Sequence, residues 1–380
     1  MQARAQAPAG LPTQQQPRVQ CWGQAPCGSS RSGRADPALR RQGGVSLVEV
    51  LIALVLGLLL IGAVSTAYLA NHQTFRQVEN LARVNENART TFELLGRELR
   101  EAGGTPCGAG LPTANVLRTG PASPWWTDWG QGLRGFDGHE ALPARAFGTG
   151  TAGRVAGTDA VVVWSGSTLP ALAIEHHDPA QARLRVHTHE HGLNVGDIAI
   201  ACDQVQAAIF QVTHANPANR TIVHQTGQSV QPGNCRKELG IALGAAPGAA
   251  HDCSTPGREY SFEAGGFLSR LSVSAWYVGH NGRGGTSLYR VVLGNTSSTA
   301  STSPEEVIEN VSNLQMHYLA PDAGGTLPSR YVDASQVGDW SRVLAVRLEP
   351  TYVTSEAVGT DGKPIERTLP FLVGIRTRLP

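Results

Sequence analysis

Three histidines, His187, His189 and His191, alternate in the segment VHTHEHG. On a β-strand all three would project from one face, where imidazoles beside His176, His177 or Asp178 have the donor set for Zn or Cu. The plainer reading, and the one adopted, is a polar strand face running into a turn at Gly192, so no metal and no cofactor is expected. Other arrangements that support catalysis are missing. There is no GxSxG elbow, HExxH pair or Walker loop, and GHNGRGG at 279–285 lacks the Lys-Ser/Thr of a phosphate loop. PDAGG at 321–325 lacks the alternating oxygen ligands of a calcium loop. Trp125, Trp126 and Trp129 sit in a Pro/Gly-rich loop, where packing explains them better than a contact surface. With no catalytic constellation, the chain is expected not to be an enzyme.

The residue with the most pointed chemistry is Glu49. It interrupts an apolar run from Val45 to Val64 in which Ser46 is the only other polar side chain. An ionised carboxylate in lipid costs roughly 2–3 kcal/mol on insertion scales unless it finds a partner. Six cysteines occur, of which Cys21 and Cys27 precede this run. The four that follow, Cys107, Cys202, Cys235 and Cys253, are candidate disulfide residues outside the cytoplasm, with three connectivities open. Cys235 with Cys253, closing a Gly/Ala/Pro-rich loop, is the preferred pair. No two stand at CxxC spacing, which disfavours a structural metal.

Charge is distributed unevenly. Residues 1–44 carry six Arg against Asp36, a balance of +5 within a chain of +1, so the remainder is net −4. A mildly acidic region without a basic block has no electrostatic footprint for nucleic acid, and none is expected as a partner.

Twenty helical residues rise about 30 Å, the thickness of a bilayer core, so 45–70 reads as the transmembrane half of a helix. Arg40 and Arg41 just before it orient the N-terminal side to the cytoplasm. No proline occurs from Val45 to Thr105, and Phe75, Val78, Leu81, Ala88, Phe92, Leu95, Leu99 and Ala102 recur at helical spacings. This predicts one helix from Val45 to Ala102, its half at 71–103 amphipathic, stopped by Gly103-Gly104 and Pro106. Residues 1–44, rich in Gln, Pro and Gly, cannot bury a core. From 104 to 380 short apolar runs alternate with turn clusters. Expected strands are Asp159–Trp164, Arg183–His187, Asp197–Ala201, Ala207–Val212, Arg220–His224, Leu271–Val278, Ser287–Leu293, Leu314–Tyr318 and Arg342–Leu348. The fold class is α+β, a long N-terminal helix packed on an antiparallel β-rich domain.

The stretch RRQGGVSLVEVLIALVLGLLL resembles the class III signal of type IV prepilins, with Glu49 the fifth residue counted from Val45. The resemblance implies that prepilin peptidase cuts between Gly44 and Val45, removing residues 1–44, and methylates the Val45 amine. Val45 departs from the commoner Phe or Met. Physically, a small Gly at the scissile position admits a peptidase to the backbone. The new amine can then pair with Glu49 of a neighbouring subunit, turning an expensive charge into an assembly device.

Further along, FELLGRELREAGGTPCG, GDIAIACDQVQAAIFQVT and EEVIENVSNLQMHYLAP followed by SRYVDASQVGDWSRVLAVRLEP resemble the large minor pilins of the PilW family. Tyr331, Val332, Asp333, Ala334, Trp340, Val343 and Arg347 carry that likeness most clearly. PFLVGIRTRLP at the end matches only loosely. The resemblance implies a minor pilin that joins other minor pilins in an initiating complex, primes polymerisation of the major pilin, and helps present a PilY-type tip adhesin. It implies an inner-membrane single-pass protein with a periplasmic domain that then enters the pilus tip at the cell surface, serving twitching motility and adhesion. The alternatives are a J-type pseudopilin of type II secretion, which is usually smaller and lacks the YVDASQV/DWSRV stretch, and a membrane-anchored periplasmic binding protein.

Overall fold

From Leu47 to Arg100 the chain forms one α-helix, α1, of 54 residues. Proline is absent and Leu is the commonest residue, so nothing in the sequence opposes helical hydrogen bonding. At its end Gly104 N–H donates to Glu101 O at 2.9 Å while Gly103 takes φ +70°, the left-handed turn that ends the helix where the glycine pair predicts. The structure is a computed structural model that describes residues 44–118, 124–166, 171–227, 229–241, 253, 257–262, 264–322 and 324–378. The expected leader, with Cys21 and Cys27, lies outside the described residues apart from Gly44.

Two units divide the chain, at Val64 and Ser65. In the first, the apolar residues from Val45 to Val64 are solvent-exposed, Leu47 at 76 %. α1 is the one helix among the described residues long and apolar enough to cross a membrane.

In the second unit, α1 buries Asn80, Val84, Thr91, Leu95, Gly96 and Leu99. Leu95 and Leu99 agree with the periodicity, and Ala102 beyond the helix is buried too. Phe75 and Val78 do not agree, remaining 67 and 61 % exposed, whereas Phe92, at 37 %, packs edge-on against Phe371 with ring centroids 5.3 Å apart. The reason is angular: at about 100° per residue Phe75 lies opposite Val84 on the wheel, so those apolar positions make two faces rather than one.

Among the described residues twelve strands form one sheet and four another, and Gly104–Thr105 with Gly108–Ala109 make a small third. The long strand Phe267–His280 organises the first. Its beginning pairs with Leu172–Asp178 and Ile198–Cys202, and from Leu271 onward it pairs with Ala160–Gly166 and, from Ser274, with Thr286–Thr296. Pairings are antiparallel except Thr113–Asn115 with Ala207–Gln211. In the second sheet Val311–Leu319, Glu366–Thr368 and Phe371–Gly374 all pair with Ala345–Val353.

Strand periodicity decides which core each side chain enters. Val161 and Val163 face the cluster that holds α1, with Trp276, Tyr318, Val346 and Tyr352. Ala160, Val162 and Trp164 face the other way, toward Tyr277, Trp126 and Cys202. A third cluster centres on Phe210, Ile222 and Phe262. The α+β class therefore stands, but with the two larger sheets sharing the core that holds the helix.

Some boundaries differ from expectation. The strand Arg183–Val186 stops before His187, and Arg342 ends a 3-10 turn, Trp340–Arg342, before the strand Ala345–Val353 begins. Thr299–Glu309 was not expected as a strand, because a mostly exposed edge carries no alternating apolar pattern.

Candidate functional site

Two regions bear on function: the start of α1, and the interface within the second unit that holds the rest of α1.

At the start, Val50 N–H donates to Ser46 O at 3.2 Å, so the Ser46 carbonyl opens the helix and Glu49 lies in its first turn. A carboxylate there is favoured by the unsatisfied N–H groups of the helix end. Ser46 and Glu49 also stand at capping-box spacing. Among the described residues no side-chain hydrogen bond or ion pair engages Glu49, and the surrounding surface is apolar.

The interface centres on Glu98. Its Oε2 accepts from Ser274 Oγ at 2.5 Å and Trp276 Nε1 at 2.6 Å, and its Oε1 accepts from Arg290 Nη1 at 3.0 Å. The carboxylate is 15 % exposed, and Arg290 reaches on to Glu305 at 3.0 Å. Burial opposes the charge on Arg290, yet its bonds to Glu305 and Glu98 outweigh that and hold its pKa above the usual value. Farther up the helix Arg76 pairs with Glu356 at 2.5 Å, and Gln77 Nε2 donates to Val358 O at 2.6 Å. Asn87 Nδ2 donates to Glu309 O at 3.1 Å.

The late-chain residues singled out in the sequence cluster behind this interface. Val332 and Tyr318 exchange backbone hydrogen bonds at 2.8 and 2.9 Å. Asp137 accepts from the N–H groups of Ala334 and Ser335, each at 2.9 Å, and Asp333 meets His317 Nδ1 at 2.9 Å. Trp340 packs edge-on against Tyr318, ring centroids 4.8 Å apart. Val343 is buried, Arg347 pairs with Glu349 at 2.7 Å on the outer side, and Tyr331 is half-buried. Arg378 in the loosely matching tail donates to Trp340 O and Val343 O, so this segment also closes the unit.

The histidines do not assemble. Because the strand ends at Val186, the strand-face geometry expected of His187, His189 and His191 does not form. His187 and His189 are exposed, the latter with Nδ1 2.9 Å from Pro217 O. His191 is buried and accepts from Leu193 N–H at 3.2 Å. His176 points outward and His177 inward. Among the described residues no group of three His, Cys, Asp or Glu could hold a metal. The cysteines join as Cys107–Cys202 and Cys235–Cys253. Trp126 is buried, its carbonyl accepting from Trp164 Nε1 at 3.1 Å, and Trp125 and Trp129 lie against the same core.

Glu98 was not singled out from the sequence. The available signal was its place between Leu95 and Leu99 on the packed side of the helix, which makes it a boundary carboxylate needing partners.

Two family models match the chain. One, described as type IV pilus-assembly protein W, covers residues 275–361, and one described as the prokaryotic N-terminal methylation motif covers residues 39–65. A search of curated proteins and a search of solved structures found no match. The first segment contains Trp276, Arg290 and Glu305 of the Glu98 network together with Tyr318 and Trp340; the second contains Gly44, Val45 and Glu49.

Proposed function

We propose that the chain is a type IV pilin of the PilW type, as the family matches over residues 275–361 and 39–65 suggest, and that it serves as a minor pilin that assembles with other minor pilins to initiate pilus biogenesis and present the tip. The observation carrying this reading is the exposed apolar stretch of α1 up to Val64 with a single carboxylate, Glu49, five residues after Gly44 and without a partner among the described residues. Prepilin peptidase would remove residues 1–44, and the methylated amine of Val45 would meet Glu49 of the neighbouring pilin in the membrane. Ion pairing of this kind is favourable where lipid excludes water, and it sets the axial register between helices. Apolar side chains beyond the span support the same reading, since Tyr68 and Phe75 stay exposed on the side of α1 opposite Leu95 and Val84, and Val78 stays exposed on its flank. The work is assembly, by helix packing, one charge pair and domain contacts. Its partners would be the peptidase, the major and other minor pilins, and a PilY-type tip adhesin. It would start in the inner membrane with its domain in the periplasm.

Mass spectrometry of the purified protein tests the processing: a mature N-terminus at methylated Val45 is expected, and an intact leader or another cut overturns it. Deleting the gene should abolish surface piliation and twitching while leaving exoprotein secretion intact. Loss of secretion with normal pili would instead mark a J-type pseudopilin.

A further inference from the structure

His177 and His224 are buried 3.2 Å apart, Nε2 to Nε2, on the third core cluster. His177 lies on the strand Leu172–Asp178 and His224 immediately follows Thr221–Val223. Across them runs the segment Gly257–Phe262. Its Phe262 N–H donates to His177 Nδ1 at 3.1 Å, Ser261 Oγ donates to His177 O at 3.2 Å, and Tyr260 Oη donates to Asp203 Oδ2 at 2.5 Å. The Phe262 ring is fully buried beside His177, the centroids 5.7 Å apart.

The hydrogen bonds determine the protons. A backbone N–H can only donate, so His177 Nδ1 is an acceptor and its proton sits on Nε2. That proton can only point at His224 Nε2, which must accept, leaving the His224 proton on Nδ1, buried with no partner beyond its own backbone. The same assignment rules out a metal bridging the two Nε2 atoms, because one of them is protonated. A further proton has no place here. On His177 Nδ1 it would confront the Phe262 N–H, and on His224 Nε2 it would confront the His177 Nε2–H.

We propose that the imidazole pair is an acid-released latch, which holds the strap Gly257–Phe262 on the domain at neutral pH and lets it go when either ring takes a second proton. Burial is the main opponent of charge here, pushing His177 down to about 4 and His224 to about 3. Around the pair stand Asp178 and His176 on the same strand, Arg183 opposite Asp178, Arg258 and Glu259 on the strap, Asp203 under Tyr260, and, on the segment whose Gly240 N–H donates to Arg258 O at 2.9 Å, Arg236 against Gly257 with Glu238 beside it. Of these, Asp178 favours and His176 opposes a charge on His177, and neither offsets burial. The disulfide Cys235–Cys253 lies just before the strap and would keep the released segment tethered.

Hydrogen exchange on the full-length protein in detergent micelles, corrected for the intrinsic pH dependence of exchange, tests the latch. Between pH 7.5 and 5 the Tyr260–Phe262 amides should lose roughly 30-fold in protection. That is the ratio for one imidazole whose pKa falls from 6.5 when released to about 4 when docked. The strand Phe267–His280 should stay protected over the same range. The substitution His176→Gln, at an exposed neighbour, should leave the response intact. No loss at the strap, loss shared equally with Phe267–His280, or a response abolished by His176→Gln would each overturn the proposal.

Discussion

Glu98 bears more of the structure than any other carboxylate on α1, because three donors from two strands converge on it and because it is largely withdrawn from water. Removing one partner from such a cluster leaves the others desolvated, and that penalty exceeds the net worth of the bonds themselves. Among the described residues Trp276 Nε1 donates to Glu98 alone, whereas Arg290 retains Glu305. Glu98→Ala should therefore cost about 2–3 kcal/mol, and Glu98→Gln, which keeps a carbonyl acceptor, about half of that. Urea unfolding of the two variants checks the order; equal losses would mean that the hydrogen bonds to Ser274 and Trp276 contribute nothing. At this scale the sequence was half legible. Glu49 stood out because an acid in an apolar run contradicts its surroundings. Glu98 did not, since an acid on an amphipathic helix is ordinary and its partners lie 176, 178 and 192 positions away.

Between elements, the joints are a few close approaches and two covalent ties. Gly135 on the strand Leu133–Phe136 has space for no side chain, as a Cβ there would overlap the Tyr318 hydroxyl and press on Trp340. Gly135→Ala should force that aromatic pair apart and lose about 1–3 kcal/mol, as overpacked cores do. A thermal midpoint equal to that of the parent would show that the second sheet yields more easily than its packing suggests. Cys107–Cys202 closes 95 positions and Cys235–Cys253 closes 18. In the chain-entropy account the longer loop matters more, so Cys107→Ala with Cys202→Ala should lose roughly 4.5 kcal/mol and the Cys235, Cys253 pair roughly 3. Chemical unfolding under non-reducing conditions gives the comparison, and a larger loss from the shorter loop would contradict it. The helix and its glycine stop were legible because they follow from local rules. So were strands that alternate, such as Leu314–Tyr318. Thr299–Glu309 was illegible, since its strand state comes from pairing with Thr286–Thr296 rather than from its own pattern. The second apolar face at Phe75 and Val78 shows the converse: periodicity reports that a face is apolar but not what covers it.

For the whole molecule, buried titratable groups set how the fold responds to pH. His177 and His224 have folded pKa values below the ordinary 6.5, so between that value and about 4 the folded chain binds fewer protons than the unfolded one and stability falls as pH falls. Asp159 works the other way. Its carboxylate accepts from Met316 N–H at 2.8 Å where the two sheets meet, and burial raises its pKa from 3.8 to about 6. Within that window the folded chain binds more protons, so this group stabilises as pH falls and opposes folding above it. The exposed pairs Glu175–Arg185 and Glu356–Arg76 also weaken on acidification, but solvent screens them. Burial lowers His191 in the same direction, so three histidines against one aspartate give a net loss of stability from pH 7 to 5. Asp159→Asn, which keeps an acceptor for Met316 but cannot ionise, should raise stability at pH 7.5 by on the order of 1 kcal/mol. The gain should shrink toward pH 4, where the native aspartate is already neutral, so the variant's acid loss is the steeper one. Thermal unfolding followed by circular dichroism across pH 4–7.5 measures both slopes. A variant less stable than its parent at pH 7.5, or a gain that does not change with pH, would show that the ionised carboxylate is held by more than the Met316 amide.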